Sequence, residues 1–175
     1  MTESLKEILE YIEKIRTDIK NYTAEKKSME LSRKIEVESW SPAEILQHLY
    51  KTEIYTTELL VRQLARAKKK NMTAIADNSS YLNSLDELEI EKGKEKIKAP
   101  EIALPDESVG IDTILENMDN SRIELNKVLD EFSKYDMAAI EFPHPTGKRM
   151  NMIQWILFLG KQEERHFNQI KRILK

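Results

Sequence analysis

Cysteine is absent from this 175-residue chain, which excludes disulfide bonds, thiolate metal ligands and a cysteine nucleophile. Glycine and proline are scarce, at 4 and 5 residues, and no apolar run approaches the 18 or so residues of a membrane span. The net charge of −3 offers no electrostatic argument for nucleic-acid binding. We therefore expect an all-α protein with one domain over residues 1–175. Its first residues predict an amphipathic helix rather than a signal peptide, which favours a cytoplasmic location.

Four amphipathic helices account for most of the chain. Apolar residues at helical spacing predict them over residues 4–27, 42–69, about 110–134 and 151–174. Capping boxes mark three of the starts, at Ser4 with Glu7, Ser41 with Glu44 and Asn151 with Gln154. Two of the connections are short and one is long. This pattern predicts an up-down four-helix bundle with a long connection between the second and third helices.

The long connection, residues 71–108, has little regular pattern. Residues 86–98 are rich in charges of both signs, which is typical of a solvated segment. Residues 99–105 contain two prolines and are expected to be extended, because proline disfavours helix in the residue before it. A connection of this length is often a lid or a pocket wall, or it covers a partner subunit. Residues 135–149, which also contain two prolines, are expected to form a loop.

Few polar residues interrupt the apolar faces of these helices. His48 does so on the second helix, and Gln162 and His166 do so on the fourth, where their spacing of four places them on one side. Two neutral imidazoles can bind zinc or nickel, whereas Gln162 offers only a weak carboxamide oxygen. Catalytic zinc sites usually have three protein ligands. Hydrogen-bonded core residues are the alternative interpretation for each histidine.

Arg122 interrupts the apolar face of the third helix. It either pairs with an acid near the bundle centre or extends to solvent along its aliphatic stem, and we expect the latter. The first helix shows no histidine or acid on its apolar face and is expected to be structural. One shared core is expected to contain Ile45, Leu49, Leu125, Leu129, Trp155, Leu159 and Ile170.

Several short motifs follow one another along the chain: Trp40-Ser41-Pro42 before His48-Leu49, Lys98-Ala99-Pro100-Glu101, His144-Pro145-x-Gly147, and His166-x-x-Gln169-Ile170. In order and spacing they resemble the DinB-like superfamily of metal-binding four-helix bundles, over nearly the whole chain. The resemblance implies a nickel or zinc ion held by three histidines, one from the second helix and two from the fourth. Those positions correspond to His48, Gln162 and His166 here. It also implies a homodimer.

Characterised relatives in that family include thiol-dependent transferases, in which the metal activates a low-molecular-weight thiol. Glutamine at position 162 departs from the pattern and is expected to lower the metal affinity. Either a coordinated water with a nearby acid, Glu163 or Glu53, compensates, or the site is a polar pocket without metal. Two functions follow. The first is a metal-dependent thiol transferase or hydrolase that acts on a small molecule. The second is a non-catalytic bundle that binds a ligand or a partner.

Overall fold

The computed structural model describes residues 2–36, 38–74, 79–87, 101–106 and 109–175. Four long helices dominate it: α1 (Glu3–Ala24), α3 (Pro42–Lys69), α5 (Ile111–Phe132) and α6 (Met152–Ile173). Two single-turn helices, α2 (Ser28–Leu31) and α4 (Ser84–Glu87), and a 3-10 helix at Glu101–Ala103 lie in the connections. None of the described helices is long and apolar enough to cross a membrane.

The helix starts follow from local capping chemistry. The Ser41 hydroxyl accepts from the Glu44 amide at 3.2 Å, and the Glu44 carboxylate accepts from the Ser41 amide at 2.7 Å. Asn151 and Gln154 make the same reciprocal pair at the start of α6. The cap expected at Ser4 is wrong, because Thr2 caps α1 through the amide of Leu5.

A β-hairpin precedes α6, where the sequence predicts only a loop. Strand β1 (Glu141–Pro143) pairs antiparallel with β2 (Arg149–Asn151). Gly147 has a φ of 82°, a backbone conformation that glycine adopts without a steric penalty. The hairpin places β2 directly before the first turn of α6, so it sets the direction in which that helix enters the bundle.

The long helices pack as an up-down bundle, with α1 against α6 and α3 against both α5 and α6. The α1–α6 approach is close at Gly160, where an added Cβ would lie 2.6 Å from Cγ2 of Ile12. A long connection joins α3 to α5, as predicted. The predicted fold class is therefore confirmed.

The apolar core is divided into two clusters, so the prediction of one shared core is wrong. One cluster contains Leu125, Leu129, Trp155 and Leu159, and the other contains Ile45, Leu49 and Ile170. All seven side chains are buried, as predicted. Four buried charged residues, one on each long helix, lie between the clusters: Arg16, Glu53, Arg122 and Glu163. We call them the ionic layer.

Candidate functional site

Two of the three predicted site residues contact each other across the bundle. His48 on α3 and His166 on α6 have ring centroids 5.0 Å apart and ring planes inclined by 30°. Trp40 covers His48, with its ring centroid also 5.0 Å away. His48 is buried and His166 is half-buried. We call His48 and His166 the imidazole pair.

The long connection supplies a wall beside His48. The carbonyl of Ala103, in the 3-10 helix, accepts a hydrogen bond from Nδ1 of His48 at 2.7 Å. Because a carbonyl can only accept, the proton lies on Nδ1 and the lone pair lies on Nε2. Lys51 holds this segment through the Leu104 carbonyl and the Asp106 carboxylate, each at 2.7 Å. The extended conformation predicted for residues 99–105 is wrong for Glu101–Ala103, which forms a 3-10 helix.

Both imidazoles are neutral near pH 7. Burial lowers the pKa of His48, and the hydrogen bond to Ala103 opposes this only in part. Burial also lowers the pKa of His166 from 6.5 to about 4, with smaller contributions from His48 and Arg165. A neutral imidazole is the form that binds a metal ion.

His166 and Gln162 lie at the edge of the buried face of α6, whose centre is formed by Glu163 and Ile170, each 0% exposed. Nδ1 of His166 is nevertheless buried and makes no hydrogen bond within the described chain. Gln162 is half-buried, one turn before His166. A buried nitrogen without a partner is costly, so this position favours a bound group or water.

The two imidazoles could hold a zinc-like ion weakly if their rings were reoriented. With metal–nitrogen distances of about 2.0–2.1 Å, two imidazoles on one tetrahedral ion have ring centroids about 5 Å apart, as the pair has here. Rotation of the stacked rings would be needed to direct one nitrogen of each at the same ion. Among the residues that the structure describes, no three His, Cys, Asp or Glu side chains gather at one point. A third protein ligand would therefore be a residue of another type, such as Gln162.

The ionic layer brings together two arginines and two glutamates that the sequence analysis did not connect. Arg16 donates to Glu163 and, at 3.0 Å, to Glu53. Arg122 donates to Glu53 at 2.6 Å and to Glu163 at 3.0 Å. The prediction that Arg122 extends to solvent is wrong, because it is 6% exposed and paired with both acids. The four formal charges cancel, which offsets the cost of their burial.

The two acids expected to assist a metal are already engaged. Both oxygens of Glu53 accept hydrogen bonds, one from Arg122 and the other from Arg16 and Ser121. Oε1 of Glu163 accepts from both arginines, and its buried Oε2 has no described partner. Burial raises the pKa of Glu163, while Arg16 and Arg122 oppose the rise. Glu53 therefore has no free oxygen to take the place of a third histidine, and Glu163 has one.

A local signal for the ionic layer exists in the sequence. Arg16 follows Ile12 by four residues, and Arg122 follows Met118 by four, so each continues an apolar stripe at helical spacing. Glu53 stands in the same relation to Leu49. Helical spacing identifies such residues as inward-facing, but it does not show which of them meet.

His144, the remaining histidine, belongs to a separate site. Its ring packs against Phe158 at 4.8 Å and Trp155 at 5.6 Å, and its Nδ1 accepts from the Thr146 amide. Trp155 and His166 are eleven positions apart on α6, about 16 Å at 1.5 Å per residue. His144 is therefore remote from the imidazole pair.

Comparisons with known proteins agree with this architecture. The family model of the DinB superfamily matches residues 11–170. The uncharacterized protein YuaE of Bacillus subtilis (strain 168) is 26% identical over 145 residues, which cover 82% of each chain. The crystal structure of TT2238, a four-helix bundle protein, superposes with a TM-score of 0.62 at 20% identity, over 97% of this chain and 99% of that one. At that identity, the superposition shows the fold alone.

Proposed function

Because this chain belongs to the DinB superfamily, we propose that His48 and His166, with Gln162 as a weaker third ligand, bind a divalent ion such as zinc or nickel. The observation that best supports this proposal is the imidazole pair, in which the ring centroids of two neutral histidines on facing helices lie 5.0 Å apart. The proposed activity is transfer of a low-molecular-weight thiol to a small electrophilic molecule, or hydrolysis of such a molecule.

The surroundings of His48 support a role as a ligand. Metal-bound histidines usually donate their second nitrogen to a carbonyl or carboxylate, which fixes the tautomer and the ring orientation. Ala103 provides such a carbonyl, and Lys51 holds the segment that contains it. This arrangement leaves Nε2 of His48 with a free lone pair.

The chemistry requires a nucleophile that is deprotonated near neutral pH. A bound divalent ion supplies it by stabilising a thiolate or a hydroxide. The side chains around the pair have supporting roles. His48 and His166 remain neutral, so they do not repel a cation, and Trp40 shields the face of His48 from water. Gln162 contributes an amide, which orients a polar ligand but binds a zinc-like ion weakly.

The second candidate is a non-catalytic bundle that binds a ligand or a partner. The observation that favours it is that Arg16 and Arg122 already engage both oxygens of Glu53 and one oxygen of Glu163, which leaves these carboxylates less able to bind a metal ion. In that case the imidazole pair and Gln162 are a polar pocket, and the unpartnered Nδ1 of His166 is satisfied by the ligand or by water.

Isothermal titration of untagged, chelator-treated protein with Zn²⁺ and Ni²⁺ separates the two candidates. We expect weak binding by the wild type and none by His166→Ala. Gln162→His adds an imidazole one turn before His166, and its affinity should rise by about 10–100-fold, the range associated with changes around metal ligands. His144→Gln is the matched control, because it removes the histidine outside the pair and should leave binding unchanged.

Coordination of a thiol by the bound metal ion can be tested separately. When Co²⁺ replaces the natural ion, direct coordination by an added thiol should produce a sulfur-to-metal charge-transfer band, which His166→Ala should lack. Equal affinities of Gln162→His and the wild type would contradict the metal proposal and favour the non-catalytic candidate. A metal-loaded protein that shows no band with any thiol would instead favour hydrolysis.

We also propose that the protein forms a homodimer. Ile54 and Val61 are 42% and 48% exposed and lie seven residues apart on one side of α3, where they offer apolar surface for a symmetric interface. Light scattering should report twice the chain mass of 20.5 kDa, and Ile54→Glu with Val61→Glu should reduce it to the monomer. A monomer at all concentrations of the wild type would disprove the proposal.

A further inference from the structure

A large groove lies on the side of α6 that faces away from the bundle core. Its volume is about 670 Å³, within the range of about 300–1,000 Å³ that is usual for small-molecule pockets. One wall is the outer face of α6 from Lys161 to Arg172, continued by Lys175, and the opposite wall is formed by Leu85 and Asp86 in α4. We call this cavity the α6 groove.

The charge of the α6 groove is opposite to that of the protein. Its described lining contains two acidic side chains and five basic ones, a net charge of +3, whereas the whole chain carries −3. The acidic residues are Asp86 and Glu164, and the basic ones are Lys161, Arg165, Lys171, Arg172 and Lys175. A concave surface with an excess of positive charge raises the local concentration of anionic ligands.

Among the described residues, only one of the five cations in the groove, Lys161, has an acidic partner. Glu164 accepts a hydrogen bond from the Tyr11 hydroxyl at 2.8 Å and lies 3.9 Å from Lys161. Arg165 and Arg172 are exposed, and neither forms an ion pair with a described residue. They are seven residues apart and therefore lie on the same side of α6. Two guanidinium groups thus line one cavity, and no described acid pairs with them.

Favourable interaction with the dipole of α6 accounts for only some of the basic residues that line the α6 groove. Basic residues stabilise a helix C-terminus only within about the last turn. Lys171 and Arg172 meet that condition, since α6 ends at Ile173. Lys161 and Arg165 lie two to three turns earlier, beyond the reach of that effect.

We propose that the α6 groove binds a small polyanion, a molecule with two or more carboxylate or phosphate groups. Arg165 and Arg172 form bidentate hydrogen bonds with two of its anionic groups, because the guanidinium fork matches the geometry of both carboxylate and phosphate. Lys175 adds a further charge, and Asn168, between the two arginines, offers a neutral hydrogen-bonding amide. The imidazole pair takes no part in this binding.

Titration calorimetry on metal-free protein tests the proposal with two probes, citrate for carboxylates and tripolyphosphate for phosphates. The wild type should bind at least one of them saturably, and the preferred probe identifies the anionic group. Arg165→Gln with Arg172→Gln should weaken that binding at least tenfold. The matched control is Arg62→Gln with Arg66→Gln, which removes the same charge from exposed positions on α3 and should change the affinity less than twofold.

Amide chemical shifts supply an independent readout of location. The bound probe should perturb residues 161–175 and 84–86 of the wild type, and the perturbation should disappear in the groove variant. Three results would overturn the proposal: no saturable binding of either probe, an equal loss of affinity in the α3 control, or perturbations centred elsewhere. His166→Ala should retain full binding, which separates this site from the proposed metal site.

Discussion

The ionic layer takes one residue from each of the four long helices, and the imidazole pair lies on two of them, α3 and α6, yet the two groups differ in almost every physical respect. Glu53 and Glu163 are 0% exposed, and both are hydrogen-bonded to arginines. His48 and His166 are neutral, lie nearer the surface and leave nitrogen atoms available. Three of the four carboxylate oxygens in the layer already accept hydrogen bonds from its arginines, which leaves the layer little capacity to bind a ligand. Neutral donors held in place without full hydrogen bonding are able to bind one, so the imidazole pair is the better candidate site.

The largest expected effect comes from breaking the ionic layer. Arg122→Met keeps much of the aliphatic volume but removes the cation that pairs with both glutamates. We expect a loss of about 3–5 kcal/mol in the free energy of unfolding, because the partner charges remain buried without compensation. Urea denaturation measures this loss.

Lys127→Met is the matched control on the same helix. Lys127 pairs with Glu124 at the surface, so the expected change is below about 1 kcal/mol. Adding Glu163→Gln to Arg122→Met should restore part of the lost stability. The interaction free energy from this double-mutant cycle should be about 0.5–3 kcal/mol. Strictly additive effects, or equal losses for the Arg122 and Lys127 variants, would show that the layer does not act as one unit.

The second prediction concerns pH and the imidazole pair. The folded-state pKa of His166 is about 4, below its ordinary value of 6.5. Between these values the unfolded chain binds a proton that the folded chain does not, so stability should fall as pH is lowered from about 6.5 to 4. We expect His166 to account for about 1–3 kcal/mol of this fall.

The measurement compares metal-free wild type with His166→Gln by denaturation at a series of pH values. The variant should show a shallower fall between pH 6.5 and 4, because glutamine does not titrate. Acidic groups titrate in both proteins, so only the difference between the curves reports on His166. Parallel curves would mean that the imidazole is protonated as readily as in the unfolded chain.

The smallest expected effect concerns the wall beside His48. Lys51→Met removes the ammonium that holds the Leu104 carbonyl and the Asp106 carboxylate. Because this pair is partly exposed, the global stability should change by less than about 1 kcal/mol. Hydrogen exchange at residues 101–106 should nevertheless become faster. Lys14→Met, which removes an exposed pair with Asp18, should leave that exchange unchanged. Unaltered exchange in both variants would show that Lys51 does not hold the wall.

Helix positions were predictable because their signals are local. The Ser41–Glu44 capping box and the basic last turn delimit α3, and the structure ends that helix at Lys69, as predicted. The meeting of His48 and His166 was also accessible, since both are polar residues on apolar faces. The hairpin at β1 and β2 was not, because its strands are only three residues long and the prolines around them favour a loop.

Local sequence signals were enough to predict the helices, two of their caps, the long connection and the inward direction of most apolar residues. These depend on spacing and on contacts between residues three or four apart. Two features follow from packing between distant parts of the chain. The first is the ionic layer of Arg16, Glu53, Arg122 and Glu163 that divides the core, and the second is the hydrogen bond by which Ala103 sets the tautomer of His48. Both depend on hydrogen bonds between groups 37 to 147 residues apart, and the energy of such a bond depends on the burial and alignment that packing alone provides.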